Sequence, residues 1–144
     1  MASDTPEKKP APKRRRTPSY VKNLRGVRNW KEAREWLQWR SIEDVEAMTP
    51  DLAGVPRGKM MPSVKFTTET SLALPNAVFR QTITGDYPEE TDEFQHDPLD
   101  SDLKLMPDLS TLSVVPWETD PTAQVICDIV STSGKPILYT PRNL

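Results

Sequence analysis

The sequence predicts an α+β fold with a mainly antiparallel or mixed sheet, on three observations. Apolar residues alternate in short period-two runs, most clearly Ala123, Val125, Cys127 and Ile129, the pattern of a half-buried strand. Helical spacing is clear only in residues 29–40. Fifteen prolines against five glycines in 144 residues disfavour long helices and favour short strands with fixed turns. The reading gives five or six short strands and one or two helices, joined by hairpins rather than βαβ units.

Residues 1–19 are a proline-rich basic tail containing Lys8, Lys9, Lys13, Arg14, Arg15 and Arg16. Such a composition buries no core, and disorder is expected. Residues 20–41 form an N-terminal amphipathic helix region. Asn29 suits an N-cap, and Glu32 follows three residues later as in a capping box. Trp30, Ala33 and Leu37 share one face, while Trp36 and Trp39 lie on another with Arg40. Three tryptophans in ten residues require cover from the domain or from a partner. In an isolated chain they are expected to form an apolar patch.

Residues 42–49 read as a strand, 50–54 as a turn and 55–61 as a return strand, short or at an edge because of Pro56 and Pro62. Residues 63–72 read as a short helix or an irregular segment. Residues 77–84 contain Val78, Phe79 and Ile83 without a clean period. Residues 86–102 hold eight acidic side chains and no Lys or Arg, and read as a loop. Short strands follow at 103–106 and 112–117. The strongest strand is 122–130, and Ser133-Gly134-Lys135 turns the chain into 136–139.

Charge and composition exclude several functions. Residues 1–40 carry 12 basic and 4 acidic side chains, and residues 41–144 carry 7 and 17. A basic leader thus joins an acidic body, which would repel phosphate, so nucleic acid is a disfavoured partner. One cysteine and one histidine exclude an internal disulfide, a multi-cysteine zinc module and a two-imidazole site. No apolar run is long enough to span a bilayer, and no secretory signal follows the basic leader, so the expected location is cytoplasmic. Neither standard phosphate-loop motif occurs. Cys127 reads as a small buried residue. Arg57-Gly58-Lys59 reads as a solvated basic turn, with an anion contact as the sharper alternative. Asp92, Glu93, Asp97, Asp100 and Asp102 invite a hard cation, but no D-x-D-x-D-G pattern supports one. No complete active site and no metal site are expected.

Four ordered segments carry a family resemblance. Pro50-Asp51-Leu52-Ala53-Gly54-Val55-Pro56-Arg57-Gly58-Lys59-Met60-Met61-Pro62 resembles a D-x-x-G-x-x-R-G-K-x-x-P hairpin. Leu74-Pro75-Asn76-Ala77-Val78-Phe79, with Ile83-Thr84-Gly85, resembles a substrate-facing loop. Asp100-Ser101-Asp102-Leu103-Lys104-Leu105-Met106-Pro107-Asp108 resembles an S-D-x-x-x-x-P-D segment, and Pro141-Arg142-Asn143 resembles a P-R junction. Together they make residues 44–144 similar to the N-terminal domain of the glutamine synthetase family, in its γ-glutamylpolyamine or γ-glutamylputrescine synthetase branch.

The resemblance implies a β-grasp domain over 42–144, with the catalytic domain that follows it in the family lying outside this chain. It implies an ATP-dependent glutamate–amine ligase of nitrogen and polyamine metabolism, with ATP and Mg or Mn held by that catalytic domain and none bound here. It also implies ring-shaped homo-oligomers, in which this domain closes the active site of the same or a neighbouring subunit. On that basis Arg80, Gln81, Thr82 and Asp102 are the amine-side or intersubunit positions. Ammonia-using members carry F-D-G-S-S in the loop after the motif Phe, whereas this chain reads Phe79-Arg80-Gln81-Thr82-Ile83. Arg80 would repel ammonium where a carboxylate would attract it, which counts against plain glutamine synthesis and is compatible with a different amine or with Arg80 pointing away from the site. The alternative is a stand-alone interaction or regulatory module that docks on a full-length synthetase.

Overall fold

A computed structural model describes residues 17–87, 102–138 and 140–144. Two α-helices and six strands lie among them: α1 (Trp30–Trp39), β1 (Asp44–Pro50), β2 (Pro56–Pro62), α2 (Ser63–Glu69), β3 (Leu72–Pro75), β4 (Asp102–Pro107), β5 (Ser113–Val114) and β6 (Thr122–Val130). The sheet order is β2-β1-β6-β4-β3, and β5 pairs beside the start of β6. Neighbours are antiparallel except β1 and β6, which run parallel from Asp44 opposite Thr122 to Met48 opposite Ile126. A hairpin, a central parallel pair and helices beside the sheet make this a β-grasp arrangement of the α+β class.

Alternation in the strands builds the core. Val45, Ala47 and Thr49 of β1, and Ala123, Val125, Cys127 and Ile129 of β6, are buried, while the residues between them are half-buried. They join Leu103 and Leu105 of β4, Leu72 and Leu74 of β3, Trp36 and Leu37 of α1, and Phe66 of α2. The antiparallel β1–β2 pair depends on Gly58. It sits opposite Met48, and a Cβ there would lie 2.0 Å from the Ala47 carbonyl oxygen.

The helix start follows the sequence with one change. The Asn29 side chain accepts from the Glu32 backbone N–H at 3.0 Å. Glu32, however, reaches back to Arg28, accepting from its backbone N–H at 3.0 Å and its guanidinium at 2.6 Å. The Arg28 guanidinium and backbone N–H hold the Glu32 carboxyl below its ordinary range.

Trp36 is fully buried, and its indole N–H donates to the Asn23 carbonyl at 2.9 Å. Trp30 packs on Phe66 at 5.2 Å between ring centroids. The expected tryptophan patch is therefore corrected: the segment before α1 covers Trp36, and of the three only Trp39 is exposed, at 54%. Arg40 lies over both rings, 4.0 Å from the Trp36 centroid and 5.0 Å from that of Trp39. Its guanidinium donates to the Val21 and Asn23 carbonyls.

Four boundaries differ from the sequence reading. Residues 63–72 divide into α2 and the start of β3, because Thr70 takes a positive φ of 54° after the helix. Residues 76–80 form a 3-10 helix, Asn76–Arg80, in which Val78 and Phe79 pack against the core. The strand expected at 112–117 shortens to two residues. At 136–138 a single bridge from Val130 to Pro136 replaces the last strand. The expectations for the basic tail up to residue 16, for the acidic loop at 88–101 with His96, and for Tyr139 lie outside the described residues.

Candidate functional site

Topology gathers several predicted positions at one end of the sheet. β1 and β6 are parallel, while β4 runs against β6 and β3 against β4. The turn after β1, the start of β4 and the end of β3 therefore share that end. Asp102 opens β4 opposite Pro75 and is exposed. Arg80 closes the 3-10 helix that follows Pro75 and is also exposed. Gln81 and Thr82 come next, in a turn where the Thr82 N–H donates to the Asp86 carbonyl at 2.8 Å and the Gly85 N–H to the Thr82 carbonyl at 3.0 Å. Gly85 sits at φ +89°, where an L side chain would be strained.

The outer edge of this turn is polar. The Thr82 and Thr84 hydroxyls lie 2.8 Å apart, and Thr84 donates to the Asp86 carboxylate at 2.8 Å. The loop that carries Arg80 thus also carries a carboxylate, Asp86, six residues later.

Arg57 ties this loop to the hairpin. It was read as part of a solvated basic turn; instead it lies inside β2 with only 9% exposure. Its Nε donates to Asp51 Oδ2 at 2.9 Å. Its Nη2 donates to the Gln81 and Thr82 carbonyls at 3.0 and 2.9 Å, and its Nη1 to the Gln81 side-chain oxygen at 3.3 Å. Asp51 Oδ1 accepts from the Ala53 and Val55 backbone N–H groups, both at 2.9 Å. Burial raises the Asp51 carboxyl, but these N–H groups and the Arg57 guanidinium outweigh it and hold the group below its ordinary range.

A second polar knot joins the other two motif segments. Arg142 donates to Asp108 at 2.8 Å and to Asp128 at 2.7 Å. The Ser110 hydroxyl bonds Asp108 at 2.6 Å. That bond and Arg142, against a smaller opposing effect of burial, keep the Asp108 carboxyl low.

Neither knot is a catalytic dyad, because both cations are spent on structure. Burial, and then the nearby Asp128, push the Cys127 thiol up to about 12, so it is no nucleophile near neutral pH. Among the described residues no group of three or more His, Cys, Asp or Glu side chains could hold a metal. These residues do not fit the Mg or Mn that the resemblance implies. No helix among them is long and apolar enough to cross a membrane.

No family model matches the chain. It is 32% identical over 116 residues to the glutamate–isopropylamine ligase of a Pseudomonas species, covering 78% of this chain and 25% of that protein. It is 30% identical over 122 residues to the glutamine synthetase of Methanocaldococcus jannaschii, covering 80% and 25%. Among solved structures it resembles a Plasmodium falciparum glutamine synthetase with a TM-score of 0.59, at 18% identity over 82% of this chain and 21% of that one. This last likeness is one of fold. The chain spans about a quarter of the length of these curated relatives.

Proposed function

We propose, on the premise that the relatives of this chain are glutamine synthetase-family proteins, that residues 42–144 are the N-terminal β-grasp domain of an ATP-dependent glutamate–amine ligase. In this reading the domain completes an active site whose nucleotide and metal ions are held by a catalytic domain of the same or a neighbouring subunit in a ring. The 80–86 loop and Asp102 form its amine-side rim. The reading is supported chiefly by the convergence of the hairpin turn, this loop and Asp102 at one end of the sheet, with the loop pinned through Arg57. On that rim Arg80 stands where the ammonia-using members of the resembled family carry the carboxylate that attracts ammonium, so this side chain is the first position to test for amine choice.

The test is a chimera in which residues 42–144 replace the matching quarter of the Pseudomonas ligase. An assembled chimera should form γ-glutamyl amides with ATP, and Arg80→Asp should shift its preference toward ammonium. An active, assembled chimera whose amine preference ignores changes at Arg80, Gln81 and Thr82 would overturn the reading. A second reading, a module that docks on a full-length synthetase, draws on exposed Trp39 beside Arg40. It predicts that the chain co-purifies with such an enzyme and that Trp39→Ala abolishes this.

A further inference from the structure

We infer that Arg57 is the positioning residue of the 81–86 loop, holding it through two backbone carbonyls while Asp51 fixes the guanidinium. The amine-side role of the loop rests on the function proposed above; the positioning itself does not.

Among the described residues, little else is seen to hold residues 81–86. Ile83, its one large apolar side chain, is exposed, as are Thr82, Thr84 and Asp86. Its internal bonds are local, from the Thr82 and Gly85 N–H groups. A segment with no buried apolar group of its own opens readily unless something external anchors it. That anchor is a planar fork of five N–H donors. One edge faces the Asp51 carboxylate at 2.9 Å, and both Nη2 contacts fall on consecutive carbonyls at 3.0 and 2.9 Å.

Consecutive carbonyls point the same way only when the backbone between them turns, so clamping both fixes the turn and not merely its distance from the sheet. With both carbonyls directed inward, the Thr82 hydroxyl, the Thr84 hydroxyl and the Asp86 carboxylate form a bonded outer edge. The neighbouring residues equip Arg57 for this task. The Asp51 bonds to Ala53 and Val55 set the hairpin turn, and Gly58 lets β2 close on β1 at the adjacent position.

Hydrogen exchange on the whole chain tests the inference. Replacing the fork by Arg57→Met should speed exchange of the Thr82 and Gly85 amides about tenfold, while central β1 and β6 amides stay unchanged. Arg57→Lys keeps the cation but loses the fork, and should fall between; it carries the test if the methionine variant does not fold. Gln81→Ala removes only the 3.3 Å side-chain contact and should change exchange less than about twofold. A folded Arg57 variant with unaltered loop exchange would overturn the inference.

In the chimera described above, Arg57→Lys should raise the amine KM more than it lowers kcat. Faster loop exchange with an unchanged amine KM would keep Arg57 as the loop's anchor and remove the amine-side assignment.

Discussion

Replacing Trp36 by alanine should be among the costliest single changes in this domain. The indole is fully buried in the core with Ala33, Leu37 and Val27. Truncating a buried Trp typically costs about 3–5 kcal/mol in lost transfer energy and cavity formation. Arg40 also loses the ring it covers at 4.0 Å, a further contribution of about 0.5–2 kcal/mol. The Asn23 carbonyl is not orphaned, because Arg40 also donates to it, at 2.6 Å. The sum, roughly 3.5–7 kcal/mol, compares with about 5–15 kcal/mol for a whole domain. Urea unfolding followed by circular dichroism at 222 nm measures it without relying on the indole as a probe. Trp39→Ala, on the same helix but 54% exposed, should cost less than about 1 kcal/mol. If Trp36→Ala lost under about 1.5 kcal/mol, or if the two variants matched, the argument that α1 is a core helix sealed by the 21–27 segment would fail.

Other perturbations follow from the same contacts. Asp51 and Asp108 both have folded values below the ordinary carboxylate range. Their stabilisation is therefore present above the unfolded value of about 3.9 and is lost as pH falls through the lower folded values. Urea midpoints should be flat above about pH 5 and fall below about pH 4, with Arg142→Met reducing the Asp108 part of the slope. Gly58→Ala drives a Cβ to 2.0 Å from the Ala47 carbonyl oxygen and should cost at least about 3 kcal/mol by thermal melting. Gly54→Ala, with open space around it but φ at +79°, should cost only about 1–2 kcal/mol. Thr49 is fully buried and its hydroxyl has no partner among the described residues; Thr49→Val should stabilise the chain by about 1 kcal/mol, and a lower melting temperature would show that the hydroxyl is satisfied.

The elements visible in the sequence are those governed by local rules. Period-two alternation located β6 and β1 because one face of each is buried, and Asn29 marked the helix start because its side chain caps it. What escaped depends on distant partners. Leu72 closes a segment that reads as a short helix or irregular until Leu105 pairs opposite it. The 112–117 run reads as a strand, yet only Ser113 and Val114 reach β6. Trp36 and Trp39 are indistinguishable by spacing, and the segment that covers one and not the other precedes the helix.

The candidate site divides along the same line. Arg80, Gln81 and Thr82 are assigned only through a resemblance and lie next to one another, with Asp102 at the same end of the sheet. Arg57 was missed because a basic residue beside Gly-Lys normally signals solvent, and its carbonyl partners lie 24 and 25 residues away. A signal was present nonetheless, since Asp51 and Arg57 occupy fixed places in one quoted motif and Asp108 and Arg142 in two others. Asp51 binds the base of its own motif, and Asp108 binds the base of the other, at 2.9 and 2.8 Å. A charged pair shared by a motif that lacks a nucleophile or a metal ligand is therefore better read as scaffolding than as chemistry. Its functional weight then lies in the backbone it orients, which here is the 81–86 loop.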